Sequence, residues 1–252
     1  MIDVKREELG RPDGPVVVFA HGWDRTHKDF MPVAELIAGS ARAILLDLPG
    51  FGDSPRPAET WGTEEYARAL RDLIVRELGH ERFIWVGHSF GGRIGLRMAS
   101  MQDSPIEHLI VVAGAGVKRP VPWWQSLRPW LRSQAFRRRR GRATTEDALI
   151  ALERRYGSPD YVRSRETGLR DIFVKTVTED QSENARAIRC PTTLIYGARD
   201  TETPPAIGRI LNELIPNSTY IECPVFDHHS ILTRGRHQIA LALKESIEGA
   251  AA

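Results

Sequence analysis

The chain has 252 residues, of which 41% are hydrophobic and 27% are charged, and its formal net charge is +2. This length suits one sizeable domain or a domain with a modest insertion, and the near-neutral charge does not favour a nucleic-acid-binding protein. The two cysteines show no paired spacing, so neither a disulfide framework nor a zinc site is indicated.

The N-terminal segment MIDVKREELG is polar and lacks the apolar core of a signal peptide. No apolar run approaches the roughly 18–20 residues that are needed to cross a bilayer. We therefore expect a soluble, cytoplasmic protein with no membrane span.

Short apolar, β-branched runs alternate along the chain with amphipathic segments. The runs typical of buried strands are 15–20, 42–47, 82–87, 106–113, 192–197 and 218–223. Helical spacing of apolar residues marks 27–38, 63–78, 89–101, 204–214 and 235–248. This alternation predicts an α/β fold with a mostly parallel sheet covered by helices on both faces. Functional residues in such sheets gather beyond the carboxyl ends of the strands.

The alternation is interrupted between Ala113 and Thr192, where a long segment contains no convincing strand. This segment is rich in proline and tryptophan at its start and continues with helical spacing. We predict a helical insertion at residues 117–186, and a core domain made of residues 1–116 and 187–252.

The sequence GHSFGG (87–92) joins a predicted strand to a predicted helix, which is the setting of a G-x-S-x-G nucleophile elbow. Ser89 must adopt a strained backbone conformation there so that its hydroxyl projects from the edge of the sheet. Side chains at Gly87 and Gly91 would collide with the neighbouring helix and strand. A glycine-rich turn with an incidental serine, or a phosphate cradle, is the alternative, but the flanking strand and helix favour a nucleophile.

A nucleophilic serine needs a base and an acid that orients the base, and both are expected after later strands. Asp200 follows the predicted strand 192–197. The other position, after 106–113, offers no acid, because no Asp or Glu occurs between Glu107 and Glu146. Asp200 is thus the predicted acid, with Glu202 as the alternative and a plain turn role as the other interpretation.

Two histidines, His228 and His229, follow the last predicted strand. Only one of them would be the base. A surface histidine pair is the ordinary alternative, and the serine and the aspartate already identified argue against it.

Together these features resemble the α/β-hydrolase superfamily over essentially the whole chain. Besides GHSFGG, the segment HGW (21–23) resembles the oxyanion loop of that family, DLPGFGDS (47–54) its D-x-P-G-x-G-x-S loop, and GARDTETP (197–204) its acid-bearing stretch. The resemblance implies that the insertion 117–186 is a cap, or lid, over a hydrolase core. The short segment before His21 leaves room for one strand rather than an opening hairpin, so we expect about seven strands.

The resemblance also implies a serine hydrolase that cleaves carboxylic esters or thioesters through an acyl-enzyme intermediate. In it Ser89 would be the nucleophile, His228 the base and Asp200 the acid, while the backbone N–H groups of Trp23 and Phe90 would form the oxyanion hole. No metal or organic cofactor is expected.

The assignment of the base stays open between the two histidines. The catalytic histidine of the family often lies four residues after a proline that ends the last strand, and counting from Pro224 gives His228. Asp227, however, stands where the family usually has glycine, which keeps His229 as an alternative.

Residues 117–142 contain nine Lys or Arg and no acidic residue. One interpretation is a solvated surface. The other is an anionic substrate or partner, such as a carboxylate-bearing ester, a coenzyme A thioester or an acyl group on an acidic carrier protein, because guanidinium groups bind carboxylate and phosphate in bidentate fashion. Nucleic acid is not expected. The predicted substrate contacts are His21, Trp123, Trp124, Arg137 and Arg138.

Two other functions remain open at this point. The same Ser-Asp-His triad serves carbon–carbon bond hydrolases and cofactor-free lyases, and a hydrolase scaffold can also act as a non-enzymatic small-molecule receptor. Neither the identity of the substrate nor the oligomeric state follows from the sequence.

Overall fold

The computed structural model describes residues 2–118, 134–142 and 145–250, apart from the side chains of Glu77 and Ala250. The chain divides into two compact units, one of Met1–Lys118 with Glu179–Ala252 and the other of Arg119–Thr178. The second unit lies within the segment 117–186 that the sequence predicts as the insertion. No helix in the described ranges is long and apolar enough to cross a membrane.

The first unit is built on a seven-stranded sheet with the order β1-β3-β2-β4-β5-β6-β7. Only β1 is antiparallel, and it pairs with β3 at one edge. The strands are β1 (Arg6–Gly10), β2 (Val16–Ala20), β3 (Arg42–Leu46), β4 (Phe83–His88), β5 (Ile106–Val112), β6 (Thr192–Gly197) and β7 (Ser218–Cys223). The predicted α/β fold, with about seven mostly parallel strands, is confirmed.

Five helices of the first unit follow the predicted segments closely, and two short ones, Ser182–Ala187 and Ser230–Thr233, lie outside those segments. A 3₁₀ turn at His27–Phe30 leads into the first helix, and a π-helical turn at Leu73–Glu77 extends the second. These helices are α1 (Met31–Ile37), α2 (Thr63–Asp72), α3 (Phe90–Ala99), α8 (Ser182–Ala187), α9 (Pro205–Leu214), α10 (Ser230–Thr233) and α11 (Arg236–Ala250).

The core lies on the two faces of the sheet. On one face, Phe19, Val86 and Val112 belong to a cluster that also contains Ile37 of α1 and Leu243 of α11, all of them fully buried or nearly so. Full burial of such a side chain contributes about 1.5–3 kcal/mol of hydrophobic free energy. The central strands are apolar on both faces, which is why they read in the sequence as continuous runs rather than alternating ones.

The second unit is helical in its described part, with α4 (134–140), α5 (Glu146–Tyr156), α6 (Pro159–Glu166) and α7 (Arg170–Thr178). Inside it, the buried carboxylate of Glu153 accepts from the guanidinium groups of Arg165 and Arg170, with N–O distances of 3.2 and 2.8 Å. The cost of burying that carboxylate is offset because two cations pair with it.

The chain leaves the first unit after Lys118 and returns to it at Glu179. The two crossing points are tied together, because the N–H of Gln181 donates to the carbonyl of Gly116 at 2.8 Å and the ammonium of Lys118 lies 3.7 Å from the carboxylate of Asp180. The side chain of Gln181, which is fully buried, also donates to the hydroxyl of Thr63 at 2.9 Å.

The loops after the parallel strands converge at one edge of the sheet. This edge carries His21 to Trp23 after β2, Ser89 after β4, Asp200 after β6 and His228 after β7. In open α/β sheets this is the edge at which sites form.

Candidate active site

Ser89 lies between β4 and α3 with φ 47° and ψ −102°, one of three non-glycine residues with positive φ in the described part of the chain. Such a conformation costs on the order of 1–3 kcal/mol and persists only where the surroundings impose it. Here the N–H of Ser89 donates to Val112 on β5 at 3.0 Å, and its carbonyl accepts from Arg93 on α3 at 3.1 Å. The corner is therefore held by backbone bonds on both sides of the serine.

The two glycines around Ser89 are required by the crossing of strand and helix. A Cβ at Gly87 would lie 2.3 Å from the carbonyl oxygen of Gly91, and a Cβ at Gly91 would lie 2.1 Å from that of Ala20 on β2. These distances are far inside van der Waals contact and involve backbone atoms, which cannot move aside. The predicted reason for both glycines is confirmed.

Asp200 is buried in the loop that leaves β6, and its carboxylate is fully engaged. Oδ1 accepts from the N–H groups of Glu202 and Thr203, both at 2.8 Å. Oδ2 accepts from the hydroxyl of Thr203 at 2.9 Å and from Nδ1 of His228 at 2.8 Å. Because each oxygen has fixed donors, the carboxylate can orient an imidazole without moving.

The structure brings Asp200 together with His228 and not with His229. The side chain of His228 is 6% exposed, and its Nδ1 carries the proton because a carboxylate oxygen only accepts. In the neutral ring Nε2 then holds the free lone pair. The ring of His229 is half exposed and its Nε2 lies 3.6 Å from the carboxylate of Glu202, which itself lies on the Nε2 side of His228 at 3.7 Å.

Asp227 has its own role in the turn that presents His228. Its carboxylate accepts from the N–H groups of His229 and Ser230 at 3.1 and 2.8 Å, and its own N–H donates to the hydroxyl of Ser230 at 2.9 Å. Asp227 thus holds the turn through His228 and His229 that leads into α10, whose first residue is Ser230. This accounts for aspartate where the resemblance leads one to expect glycine.

The loops that carry Asp200 and His228 are joined through their backbones. Ala198 N–H donates to Cys223 at 2.8 Å, and Arg199 N–H donates to Phe226 at 3.0 Å. Gly197 permits this approach, because a Cβ there would lie 2.2 Å from the carbonyl oxygen of Phe226. The distance from acid to histidine is therefore set by backbone contacts rather than by flexible side chains.

Thr203 is a site residue that the sequence analysis missed. Its buried hydroxyl lies 2.9 Å from Asp200 Oδ2, 3.1 Å from His228 Nδ1 and 2.8 Å from the carbonyl oxygen of Ala113. The signal that was available is a hydroxyl residue three positions after an aspartate in a turn, a spacing at which side chain and backbone commonly bond.

The predicted oxyanion donors flank the serine. Phe90 is the first residue of α3, so its N–H has no acceptor within the helix. Trp23 follows Gly22, and a Cβ at Gly22 would lie 3.5 Å from the Cβ of Ser89, which places this loop directly against the serine. The rings of Trp23 and Phe90 pack with centroids 5.3 Å apart, and the ring of Phe51 lies 4.9 Å from that of Trp23.

His21 is not available to a substrate, contrary to the prediction. Its side chain is fully buried, its Nε2 accepts from the N–H of Leu48 at 2.9 Å, and its Nδ1 donates to the carbonyl of Gly22 at 2.7 Å. Both ring nitrogens are thus used to join the loop after β2 to the loop after β3. The imidazole is a structural brace.

Burial lowers the pKa of His21 to about 4. As the pH falls below about 6.5 the unfolded chain binds a proton that the folded chain does not, so the protein loses stability as the pH falls from 7 towards 4. At about 1.36 kcal/mol per pKa unit the loss is about 3 kcal/mol from this group. We expect urea titrations at pH 7 and 4.5 to show a smaller drop in the free energy of unfolding for His21→Gln than for wild type. Equal drops would contradict a buried neutral ring.

The polar groups of the loop 47–54, like those of His21, bind neighbouring parts of the chain. Asp47 Oδ1 accepts from the N–H and the Nδ1 of His27, both at 2.8 Å, and Oδ2 accepts from Asp53 N–H at 3.0 Å. Gly52 adopts φ +56°, and a Cβ there would lie 2.1 Å from Asp47 Oδ2. The motif therefore shapes the rim of the site without supplying reactive groups.

The predicted substrate contacts in the insertion fall into two groups. Trp123 and Trp124 lie outside the described residues. Arg137 and Arg138 are exposed on α4. The guanidinium of the neighbouring Arg139 bonds to the hydroxyl of Tyr156. Further exposed arginines of this unit are Arg140, Arg142, Arg154 and Arg155. Across residues 2–118, 134–142 and 145–250, no group of three or more His, Cys, Asp or Glu has the arrangement of a metal site.

The sequence is similar to proteins of one family of hydrolases. The profile of a family described as alpha/beta hydrolase fold matches residues 15–234. The pimeloyl-[acyl-carrier protein] methyl ester esterase of Chromobacterium violaceum is 30% identical over 261 residues, covering 96% of this chain and 97% of that protein.

Solved structures share the fold at lower identity. A bacterial membrane phospholipase A superposes with a TM-score of 0.74 at 19% identity, covering 98% of this chain and 84% of that one. A thermophilic esterase from Thermogutta terrifontis superposes with a TM-score of 0.70 at 19% identity, covering 98% and 94%.

Proposed function

The chain belongs to the α/β hydrolase fold family and is an ester-bond hydrolase, and we propose that it works through an acyl-enzyme intermediate on Ser89, with His228 as the base and Asp200 as the acid. One observation carries the proposal: the buried 2.8 Å bond between His228 Nδ1 and Asp200 Oδ2 lies at the same sheet edge as the strained serine. Proton transfer to a positioned imidazole is the usual way in which a serine hydroxyl becomes nucleophilic.

In the first half of the reaction, Ser89 Oγ attacks the carbonyl carbon of the ester and its proton passes to Nε2 of His228. Asp200 stabilises the imidazolium through Nδ1–H. The carbonyl oxygen becomes an oxyanion, which accepts from the N–H groups of Phe90 and Trp23. When the tetrahedral intermediate collapses, the leaving alcohol or thiol takes the proton from Nε2, and the acyl group stays on Ser89.

In the second half, a water molecule attacks the acyl-enzyme and gives its proton to the same Nε2. Collapse of the second tetrahedral intermediate releases the carboxylic acid and returns the proton to Ser89 Oγ. The net reaction consumes one ester and one water and forms one acid and one alcohol or thiol. The positive end of α3 favours both oxyanions.

We propose that the substrate carries an anionic group or an acidic carrier protein. The relative from Chromobacterium violaceum is named for a methyl ester on an acyl-carrier protein. The exposed arginines of the second unit support the same class of substrate, since they offer several guanidinium groups and the four of α4 are consecutive. These guanidinium groups would bind the carboxylates or phosphates of such a substrate or carrier.

Neutralising Arg137, Arg138 and Arg140 together should raise KM for an anionic ester and leave kcat nearly unchanged. Contacts to a remote group act equally on ground and transition states, so they change capture rather than bond making. The effect should shrink in high salt, because the screening length falls from about 10 Å at 0.1 M to about 3 Å at 1 M. The measurement is a pair of titrations, with a charged and a neutral ester, at low and high salt.

Arg139 is left in place in this variant because it bonds to Tyr156. A control variant that neutralises Arg11, Arg68 and Lys244, all exposed on the first unit, removes the same net charge elsewhere. If both variants respond alike, or if the neutral ester responds as strongly as the charged one, the arginines are only a solvated surface.

Labelling with a fluorophosphonate, followed by turnover of p-nitrophenyl esters and thioesters of increasing chain length, tests the proposed function. We expect one label per chain, no label on Ser89→Ala, and sustained turnover of at least one ester. Stoichiometric acylation without turnover would favour a receptor. Labelling with negligible turnover of every ester would favour carbon–carbon bond cleavage or a lyase.

A further inference from the structure

His88 is the last residue of β4 and directly precedes Ser89, and the mechanism above gives it no part. Its side chain is 1% exposed, in the middle of the loops that carry the serine and the histidine. Burying an imidazole costs free energy unless both ring nitrogens form hydrogen bonds. The partners of the two nitrogens therefore indicate what the side chain of His88 does.

One nitrogen of His88 holds the backbone of the base. Nε2 lies 2.9 Å from the carbonyl oxygen of His228. A carbonyl oxygen only accepts, so Nε2 carries the proton and donates it. His228 is thus fixed at two points, because Asp200 binds its ring and His88 binds its main chain.

The other nitrogen of His88 has no partner. Since the proton is on Nε2, Nδ1 of the neutral ring is an acceptor, and it has no hydrogen-bond partner within residues 2–118, 134–142 and 145–250. A Cβ at Gly22 would lie 2.7 Å from Nδ1, so this nitrogen faces the main chain of the loop that leads to Trp23. His88 therefore donates to the main chain of His228 through Nε2, while its Nδ1 stays buried without a hydrogen bond to any of the described residues.

The charge of His88 also matters to the base. Burial, together with the neighbouring ring of His228, holds the pKa of His88 well below its usual range. The ring centroids of the two histidines are 4.7 Å apart. A neutral donor at this distance binds the carbonyl of His228 without repelling the imidazolium that forms in the transition state. A lysine or arginine in its place would repel that cation.

We propose that His88 is a positioning residue for the base: its Nε2–H bond to the carbonyl of His228 holds the imidazole at the distance from Ser89 that proton transfer requires. This inference rests on the proposed role of His228. A displacement of about 1 Å in such a group costs about 10²-fold in rate. The effect should therefore appear in kcat rather than in KM.

Two variants distinguish the effect of the Nε2–H donor from the effect of the volume of the His88 ring. His88→Leu fills similar space and cannot donate, while His88→Gln keeps an N–H at similar reach. We expect His88→Leu to lower kcat for a p-nitrophenyl ester, and the rate of Ser89 phosphonylation by a fluorophosphonate, by about 10–100-fold with little change in KM. His88→Gln should recover most of that loss. Equal losses in both variants, at equal thermal stability, would overturn the proposal.

A double variant tests whether His88 acts through His228. If it does, adding His88→Leu to His228→Ala should slow phosphonylation by less than about 3-fold, because groups that act as a unit are not additive. A full additional loss would contradict the inference. Should His88→Leu fail to fold, His88→Asn, whose amide is too short to reach the carbonyl of His228, takes its place in both experiments.

Failure of this inference can be told apart from failure of the proposed function. If wild type is not labelled, or if Ser89→Ala is labelled equally, the serine mechanism itself is wrong. If wild type is labelled at Ser89 and His88→Leu is labelled at the same rate, only the role of His88 is wrong.

Discussion

Replacing Ser89 by alanine should leave the protein folded and lower the turnover of esters by about 10⁴–10⁶-fold. The hydroxyl of Ser89 is the only group in the proposed mechanism that forms a covalent bond to the substrate. The hydrogen-bond donors and the binding surface that remain in the variant supply only a residual rate. Thermal stability should hardly change, because alanine keeps the same backbone strain at φ 47° and the bonds to Val112 and Arg93 involve only the main chain.

The matched control is Ser100→Ala, which removes a hydroxyl at the other end of α3. The Ser100 hydroxyl donates to the carbonyl of Arg97 and accepts from the amide of Asn184, away from the site. This control should keep full activity. If Ser89→Ala retained more than a tenth of wild-type turnover, another residue would have to be the nucleophile.

His228→Ala should cost nearly as much as Ser89→Ala, whereas His229→Ala should cost less than about tenfold. Residues that act as one catalytic unit lose almost the whole effect when any one is removed. Only His228 is bonded to Asp200, at 2.8 Å, while the ring of His229 is half exposed. Steady-state kinetics of both variants with one ester decide the matter.

The combined variant Ser89→Ala/His228→Ala sharpens this test. It should be no slower than Ser89→Ala alone, because the base has no proton to accept once the hydroxyl is gone. A reversed ranking of the two histidine variants would transfer the role of base to His229. Additive losses in the combined variant would show that the two residues act independently.

The sequence predicts well those features that depend on local pattern. Continuous apolar runs identify the central strands, because strands buried on both faces carry no polar alternation. The corner at Ser89 is recognisable because Gly87 and Gly91 are dictated by a strand and a helix that pass within van der Waals distance. Asp200 is predicted by its place after β6 and by the absence of any acid after β5.

Features that depend on distant contacts escape such a prediction. His228 and His229 are neighbours in one turn, and which ring meets Asp200 depends on how that turn packs against the loop after β6. His21 looks like a site residue from its motif, yet its ring is bound by Leu48, far along the chain. The contact of the Thr203 hydroxyl with the carbonyl oxygen of Ala113 likewise forms only after β5 and β6 have paired.

The tied crossing points at Gly116 and Gln181 have a consequence for how this protein can change. A segment that begins and ends at neighbouring positions closes as a loop on a preformed base, and the entropy of closing a loop grows only slowly with its length. Shortening, lengthening or exchanging the residues between Lys118 and Glu179 therefore need not disturb the sheet that carries Ser89. Residues 119–178 are thus a part of this chain in which changes of length are readily tolerated.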